Sequence, residues 1–282
     1  MTATSPPLHV QSETAAFMLM RAGRYTEPMR QLLLLMLLAA LTVPVAADEI
    51  AVLAGGSARG PVTEMAQAFR QQTGHLVTVA FDTTPNIIQR LASAQGPDVL
   101  IAATAVVDQA LKEGRAIADT RIALGRVGTG VAVSRGAAHP DVSTADALKR
   151  ALMQADAVLI SQGASGTSAL KMFGDLGVLD AIQSKIVRVE SGAALIERLG
   201  TSRGEIGLGY VSELSYGAAR GGGDVVGPVP ASLQSFAGYD AVVMTGSRVP
   251  QVARQFVRTL ASPAARTLFV ASGWEIPDVR AQ

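Results

Sequence analysis

The chain has 282 residues, of which 49% are hydrophobic and 17% charged, enough for one large or two modest domains with a sizeable core. Twenty-four basic residues balance 23 acidic ones, so nothing in the charge points to a polyanionic partner such as nucleic acid. Cysteine is absent, which excludes thiol catalysis, iron–sulfur clusters, zinc–thiolate sites and disulfides.

Residues 1–28 are polar and mixed, form an N-terminal extension of uncertain status and receive no fold; Met18, Met20 and Met29 each offer an alternative start. Residues 29–47, MRQLLLLMLLAALTVPVAA, have the plan of a signal peptide. Arg30 is the positive flank, Leu32–Leu41 the apolar centre, and Val45 and Ala47 the small residues before a cleavage site. The apolar run is too short to span a bilayer comfortably, so no stable membrane insertion is expected. Cleavage after Ala47 removes Arg21, Arg24, Arg30, Glu13 and Glu27 and leaves 235 residues with 21 basic and 21 acidic side chains. His75 and His139 then remain among non-coordinating neighbours, and no metal site or cofactor is expected.

The first mature segment is a strand over Ile50–Leu53, followed by the small-residue turn GGSARG. Such a turn into a helix leaves free backbone N–H groups where an anion can sit. Ser57 adds a hydroxyl and Arg59 a planar cationic fork. The same residues also suit an ordinary βα turn with a serine cap. Val62, Met65, Ala66 and Phe69 recur at helical spacing, which predicts a helix over Pro61–Thr73 stopped by Gly74. A β-branched strand covers Leu76–Phe81, and Thr83, Thr84 and Pro85 lead into a helix over Asn86–Ser93. A short strand at Asp98–Ile101 and a helix at Val106–Glu113 follow.

Val127–Val133 is a Gly-rich strand, and Ser143 or Thr144 caps a helix that runs through Leu152. The strand Ala157–Ile160 is followed by SQGASGTSA, a second small-residue loop entering a helix. Then come a strand at Ile186–Val189, a helix at Gly192–Leu199, and a short apolar segment Ile206–Leu208 with Tyr210 beyond it. Gly221–Gly223 reads as a surface turn or a hinge. Late strands at Val225–Val229 and Tyr239–Met244 precede helices at Val252–Leu260 and Ala264–Ser272. Repeated βαβ units predict an α/β fold with parallel sheets covered by helices. The small-residue turns fall in two groups, which implies two lobes whose strand ends face each other across a cleft.

In this order the segments AGGSARG, AFRQQTG, Thr83–Thr84, GPDVLIAA and GEIGLGYVSEL resemble the bacterial periplasmic solute-binding proteins of the type II fold, nearest the molybdate-binding branch. The likeness covers residues 48–275. It implies a first lobe of residues 48–127 and 229–282 and a second of 128–228. Gly128, Gly130 and Pro228–Ser235 then lie at the crossings between lobes. It implies a monomer in the periplasm that hands a small anion to an ABC permease. Carried over by position, the ligand-binding set is Ser57, Thr83, Thr84, Ala103 and Tyr210, with Ser165, Gly166 and Thr167 from the second lobe or merely capping its helix. Arg59 and the SQGASGTS loop depart from the branch's pattern. A guanidinium matches a planar carboxylate, so an organic carboxylate is expected rather than molybdate.

The branch also includes a periplasmic aconitate isomerase, which implies an alternative: an enzyme moving a proton within an allylic tricarboxylate. Its acid–base group would come from Tyr210, Asp82, Glu190 or Glu213. Asp82 also suits a local hydrogen bond to backbone. A periplasmic sensor is a third reading.

Overall fold

The computed structural model describes residues 47–92 and 96–276. The extension 1–28, the signal peptide apart from Ala47, and the expected helix end at Ser93 lie outside these residues.

In chain order the elements begin with β1 (Glu49–Gly55), α1 (Arg59–Thr73), β2 (Leu76–Asp82), α2 (Thr84–Leu91), β3 (Val99–Ala103) and α3 (Thr104–Lys112). The long strand β4 (Ile122–Val133) follows, then α4 (Ala145–Gln154), β5 (Ala157–Ser161), α5 (Ala164–Asp175) and α6 (Leu179–Ile182). Next are β6 (Ile186–Val189), α7 (Gly192–Leu199), β7 (Glu205–Tyr210), α8 (Val211–Ala218), β8 (Asp224–Pro228) and β9 (Phe236–Val243). The last elements are α9 (Pro250–Thr259), α10 (Pro263–Ala271) and β10 (Trp274–Glu275).

Local chemistry sets most of these boundaries. Val62, Met65, Ala66 and Phe69 form the buried stripe of α1, and Gly74 ends it in the left-handed region at φ 78°. Thr144, Ser191 and Ser262 accept the third helical N–H of α4, α7 and α10. The sequence reading passed over α8. Its residues VSELSYGA are few and weak in propensity, so packing forms this helix. A Cβ at Gly217 would collide with Ile196, so the missing side chain lets α8 lie close against α7.

The strand order is β2-β1-β3-β9-β4-β7-β5-β6, with β8 and β10 also pairing with β4. β4 belongs to two sheets. Its residues to Gly128 pair antiparallel with β9, and from Thr129 onward they pair with β7. The first sheet carries parallel β2, β1 and β3 and is covered on one face around Phe69, Phe256 and Phe269, on the other around Ile87, Leu100 and Val107. The second carries parallel β7, β5 and β6 between clusters around Leu152 and Phe173 and around Leu195 and Leu214. Two three-layer α/β lobes result. Both present the C-terminal ends of their parallel strands to a cleft, the place where open α/β sheets bind ligands.

A backbone splice joins the lobes. The Gln234 side-chain carbonyl accepts the Thr129 N–H at 2.7 Å, and its amide donates to the Thr129 carbonyl at 3.0 Å. Val229 N–H donates to the same carbonyl at 3.1 Å. Gln234 thus stands in for a strand neighbour where β4 changes sheets. Gly128 leaves it room, because a Cβ there would stand 2.9 Å from the carboxamide.

Candidate functional site

Turns after five parallel strands meet in the cleft. Gly56 follows β1, Asp82–Thr84 end β2 and open α2, Ser161–Ser165 join β5 to α5, Glu190–Gly192 join β6 to α7, and Tyr210–Glu213 join β7 to α8. They enclose two adjoining spaces that share Gly56, Asp82, Thr83 and Glu213. The inner one is about 20 Å³, room for about one water. The outer one is about 560 Å³, the size of a small-molecule site.

The inner space is walled by hydroxyls. Thr83, Thr84, Ser161, Ser165, Tyr210 and Tyr239 line it. Ser161 and Ser165 share a hydrogen bond at 2.8 Å, and Ser161 Oγ also accepts the Gly163 N–H at 3.2 Å. A Cβ on Gly163 would stand 3.5 Å from the Thr83 side chain, so the two lobes approach closely here. Ser57 lies behind this wall in a single 3₁₀ turn and donates its hydroxyl to Tyr239 Oη at 2.8 Å. Ala103 is the register partner of Tyr239 and lines neither space. Gly166 is packing: a Cβ there would collide with the Ser161 carbonyl, so its absence seats α5 on the end of β5. Thr167 is exposed, turns back to the Gly163 carbonyl, and lines neither space.

The outer cleft holds the charges. Arg59 lies 4.4 Å from the centroid of Phe81 and has no ion pair among the described residues. Arg220 stacks on Tyr216 at 3.5 Å and reaches the Tyr216 carbonyl. Glu190 and Glu197 are exposed. Asp82 is occupied: Oδ1 accepts from Thr83 N–H at 2.9 Å and Asn86 Nδ2 at 2.7 Å, while Oδ2 faces Arg90 at 3.4 Å.

Glu213 is set apart from the other acids. It sits in the first turn of α8, and its carboxyl is held between Gly56 and Gly192. A Cβ on Gly56 would collide with Oε1, and one on Gly192 with Oε2. Among the described residues no hydrogen bond or ion pair reaches this carboxyl. Burial pushes it up to about 7, with Arg59 pulling the other way. Burial also lifts Tyr210 to about 12, partly offset by Ser168 and reinforced by Glu213. Tyr239 is raised by burial too, despite the hydrogen bond from Ser57. Both tyrosines are therefore neutral donors at pH 7. Glu213 lines both spaces, has no partner among the described residues and has its proton affinity raised to near neutrality, which suits an acid–base group.

The structure brings Arg59, Asp82, Thr83, Thr84, Ser165, Tyr210, Glu190 and Glu213 to the cleft. The sequence reading omitted Tyr239, Ser161, Ser191, Tyr216 and Arg220. Ser161 stood within a loop already marked, whereas Tyr239 carried no signal beyond its strand. Tyr216 and Arg220 went with the unrecognised α8. Among the described residues no cluster of three or more acidic or histidine side chains is disposed to hold a metal, and no helix is long and apolar enough to cross a membrane.

Comparison with known proteins gives consistent relatives. The family profile described as bacterial extracellular solute-binding protein matches residues 50–275. An aconitate isomerase from a Pseudomonas species is 31% identical over 232 residues, 79% of this chain and 86% of that protein. The molybdate-binding protein ModA of Azotobacter vinelandii is 26% identical over 229 residues, 81% of this chain and 90% of that protein. A solved Azotobacter vinelandii periplasmic molybdate-binding protein superposes with TM-score 0.69 at 19% identity, covering 82% of this chain and all of that one. The fold is that of the type II periplasmic binding proteins.

Proposed function

We propose, from the premise that the chain belongs to the bacterial extracellular solute-binding protein family, that it captures a small organic carboxylate in the periplasm for an ABC permease. Arg59 carries this reading: a half-buried guanidinium at the helix start that faces the outer cleft with no acidic side chain paired to it. Its planar fork suits a carboxylate better than a tetrahedral oxyanion. The outer cleft has the volume of a small-molecule site. The proposed lobes are residues 48–127 with 229–282, and 128–228, working as a monomer. An anion contacting both favours the closed arrangement. Residues 29–47 act as the export signal in this reading.

The test is a thermal-shift screen against molybdate, sulfate, citrate, cis- and trans-aconitate and other di- and tricarboxylates. A ligand bound by the folded state alone raises the melting temperature. A rise with carboxylates and none with molybdate or sulfate is expected; the reverse pattern overturns the proposal.

Glu213 favours a second reading, an isomerase acting on aconitate, and the 31% identical relative bears that name. Ionised Glu213 would take a proton from the ligand methylene as the double bond shifts. The resulting acid would return the proton to the other allylic carbon, leaving enzyme and proton count unchanged. Incubation with trans-aconitate, followed by ultraviolet absorbance and separation of the isomers, decides between carrier and enzyme.

A further inference from the structure

The outer cleft presents a charge problem. Arg59 and Arg220 face Asp82, Glu190, Glu197 and Glu213. Asp82 is shared with Arg90, and the two other glutamates are exposed to water, which screens them. Glu213 is half-buried where the two spaces meet and has no hydrogen-bond or ion-pair partner among the described residues. An anion entering beside an ionised, half-buried carboxylate would meet a like charge at close range that water only partly screens.

The groups packed around Glu213 give it no other outlet. Gly56 and Gly192 flank its two oxygens without side chains. Tyr210 and Tyr239, from β7 and β9, are uncharged donors. Arg59 on α1 is near enough to act electrostatically and lies beyond ion-pair distance. Thr83 and Asp82 at the end of β2 are bonded to each other or to α2. Ser191 caps α7 through Ala194.

We propose that Glu213 meets the bound anion as a neutral carboxylic acid, donating a hydrogen bond to one ligand carboxylate while Arg59 receives another. This rests on reading the cleft as an organic-anion site, and it favours di- and tricarboxylates within that class. A second carboxylate lets each group hold one of its own, whereas a monocarboxylate must share its two oxygens between them. It also makes the proton part of the cargo: above neutral pH, each anion bound brings one proton into the cleft. The two glycines are what allow it, because either replaced by alanine would push the carboxyl aside.

The experiment is calorimetry with tricarballylate, a saturated tricarboxylate with no double bond to move, in buffers of differing ionisation enthalpy between pH 7 and 8.5. The expected result is uptake approaching one proton per ligand at the upper end, and affinity falling about tenfold per pH unit. Glu213→Gln should bind without proton uptake and with a flat pH profile. Equal uptake by both proteins, or a flat profile in the wild type, overturns the inference. Carbon-13 NMR of side-chain carboxyls in the unliganded protein is a ligand-independent measurement. A resonance that titrates near neutrality and is missing from Glu213→Gln supports the inference even if tricarballylate fails to bind. A Glu213 resonance titrating in the ordinary carboxylate range overturns it, whichever anions bind.

Discussion

Ser57 and Tyr239, 182 positions apart, share a buried hydrogen bond of 2.8 Å in which the serine is the donor. The bond ties the turn after β1 to the middle of the first sheet. Tyr239 is in turn braced edge-on by Trp274, with ring centroids 5.2 Å apart. A Cβ on Gly55 would stand 2.7 Å from the Tyr239 ring, so the glycine before the turn makes room for the phenol. The serine that marks the turn in the sequence thus shapes the back wall of the inner space.

Tyr239→Phe removes the acceptor and leaves the Ser57 hydroxyl buried at 2% exposure. An unpaired buried hydroxyl costs about 1–2 kcal/mol, which in a domain of this size lowers Tm by about 3–6 °C. Differential scanning calorimetry checks this, and a Tm equal to wild type means that Ser57 finds another partner. Restoring stability with the additional change Ser57→Ala would identify the unpaired hydroxyl as the cause.

Arg59→Ala takes away the proposed carboxylate fork and its stacking on Phe81. Loss of a charge-assisted bidentate contact amounts to about 1.5–3 kcal/mol, or roughly a 10- to 100-fold weaker Kd. Arg59→Lys should recover only part of it, since an ammonium offers no planar fork. Carboxylate affinity unchanged in Arg59→Ala would remove the arginine from the site.

The alternation of strands and helices was legible because its signals are local. The stripe of α1, the cap at Thr144 and the β-branched run of β2 each specify themselves within a few residues. The turns flanking the cleft were legible for the same reason, as small residues following apolar strands. What escaped depends on distant contacts. Helix α8 exists because Gly217 lets it nest on α7. The first half of β4 is a strand because β9 and β10 pair with it. Tyr239 is a wall of the site through contacts with Ser57 and Trp274, both far from it in sequence. Glu213 was visible as a residue type, but its isolation between two glycines is a property of packed loops.

Gly192→Ala tests that isolation directly. The new methyl group meets Glu213 Oε2 at the start of α7, so the carboxyl or the helix must shift. Overpacking of this kind costs about 1–3 kcal/mol. The displaced carboxyl should turn toward solvent and titrate lower, closer to an ordinary glutamate. Combined with Glu213→Ala, which removes the obstacle, the glycine substitution should become nearly neutral. Strict additivity of the two changes would show that they do not meet.

Gln234→Ala opens the splice between the lobes. Two hydrogen bonds to Thr129 disappear, and its N–H, on a fully buried residue, loses its acceptor. The cost is about 1–2 kcal/mol. The sharper readout is local: exchange of the Thr129 amide should accelerate by at least about tenfold, while amides deep in β1 and β5 keep their protection. Uniform acceleration across the chain would indicate general destabilisation in place of a loosened crossing.

Glu213 also makes stability depend on pH, and the direction follows from its raised proton affinity. In the unfolded chain the group loses its proton near 4.5; in the folded protein it keeps it to about 7. Below 4.5 both states are protonated and the site costs nothing. Between these values the folded state binds the extra proton, so stability falls as pH rises. Above 7 both states are ionised and the full penalty, about 3 kcal/mol, is in place. Glu213→Gln carries no such penalty. Urea denaturation of the two unliganded proteins from pH 4.5 to 8.5 should show the wild type losing ground to the variant up to about pH 7, then running parallel to it. A constant gap across the range would mean that the Glu213 carboxyl titrates alike in the folded and unfolded protein.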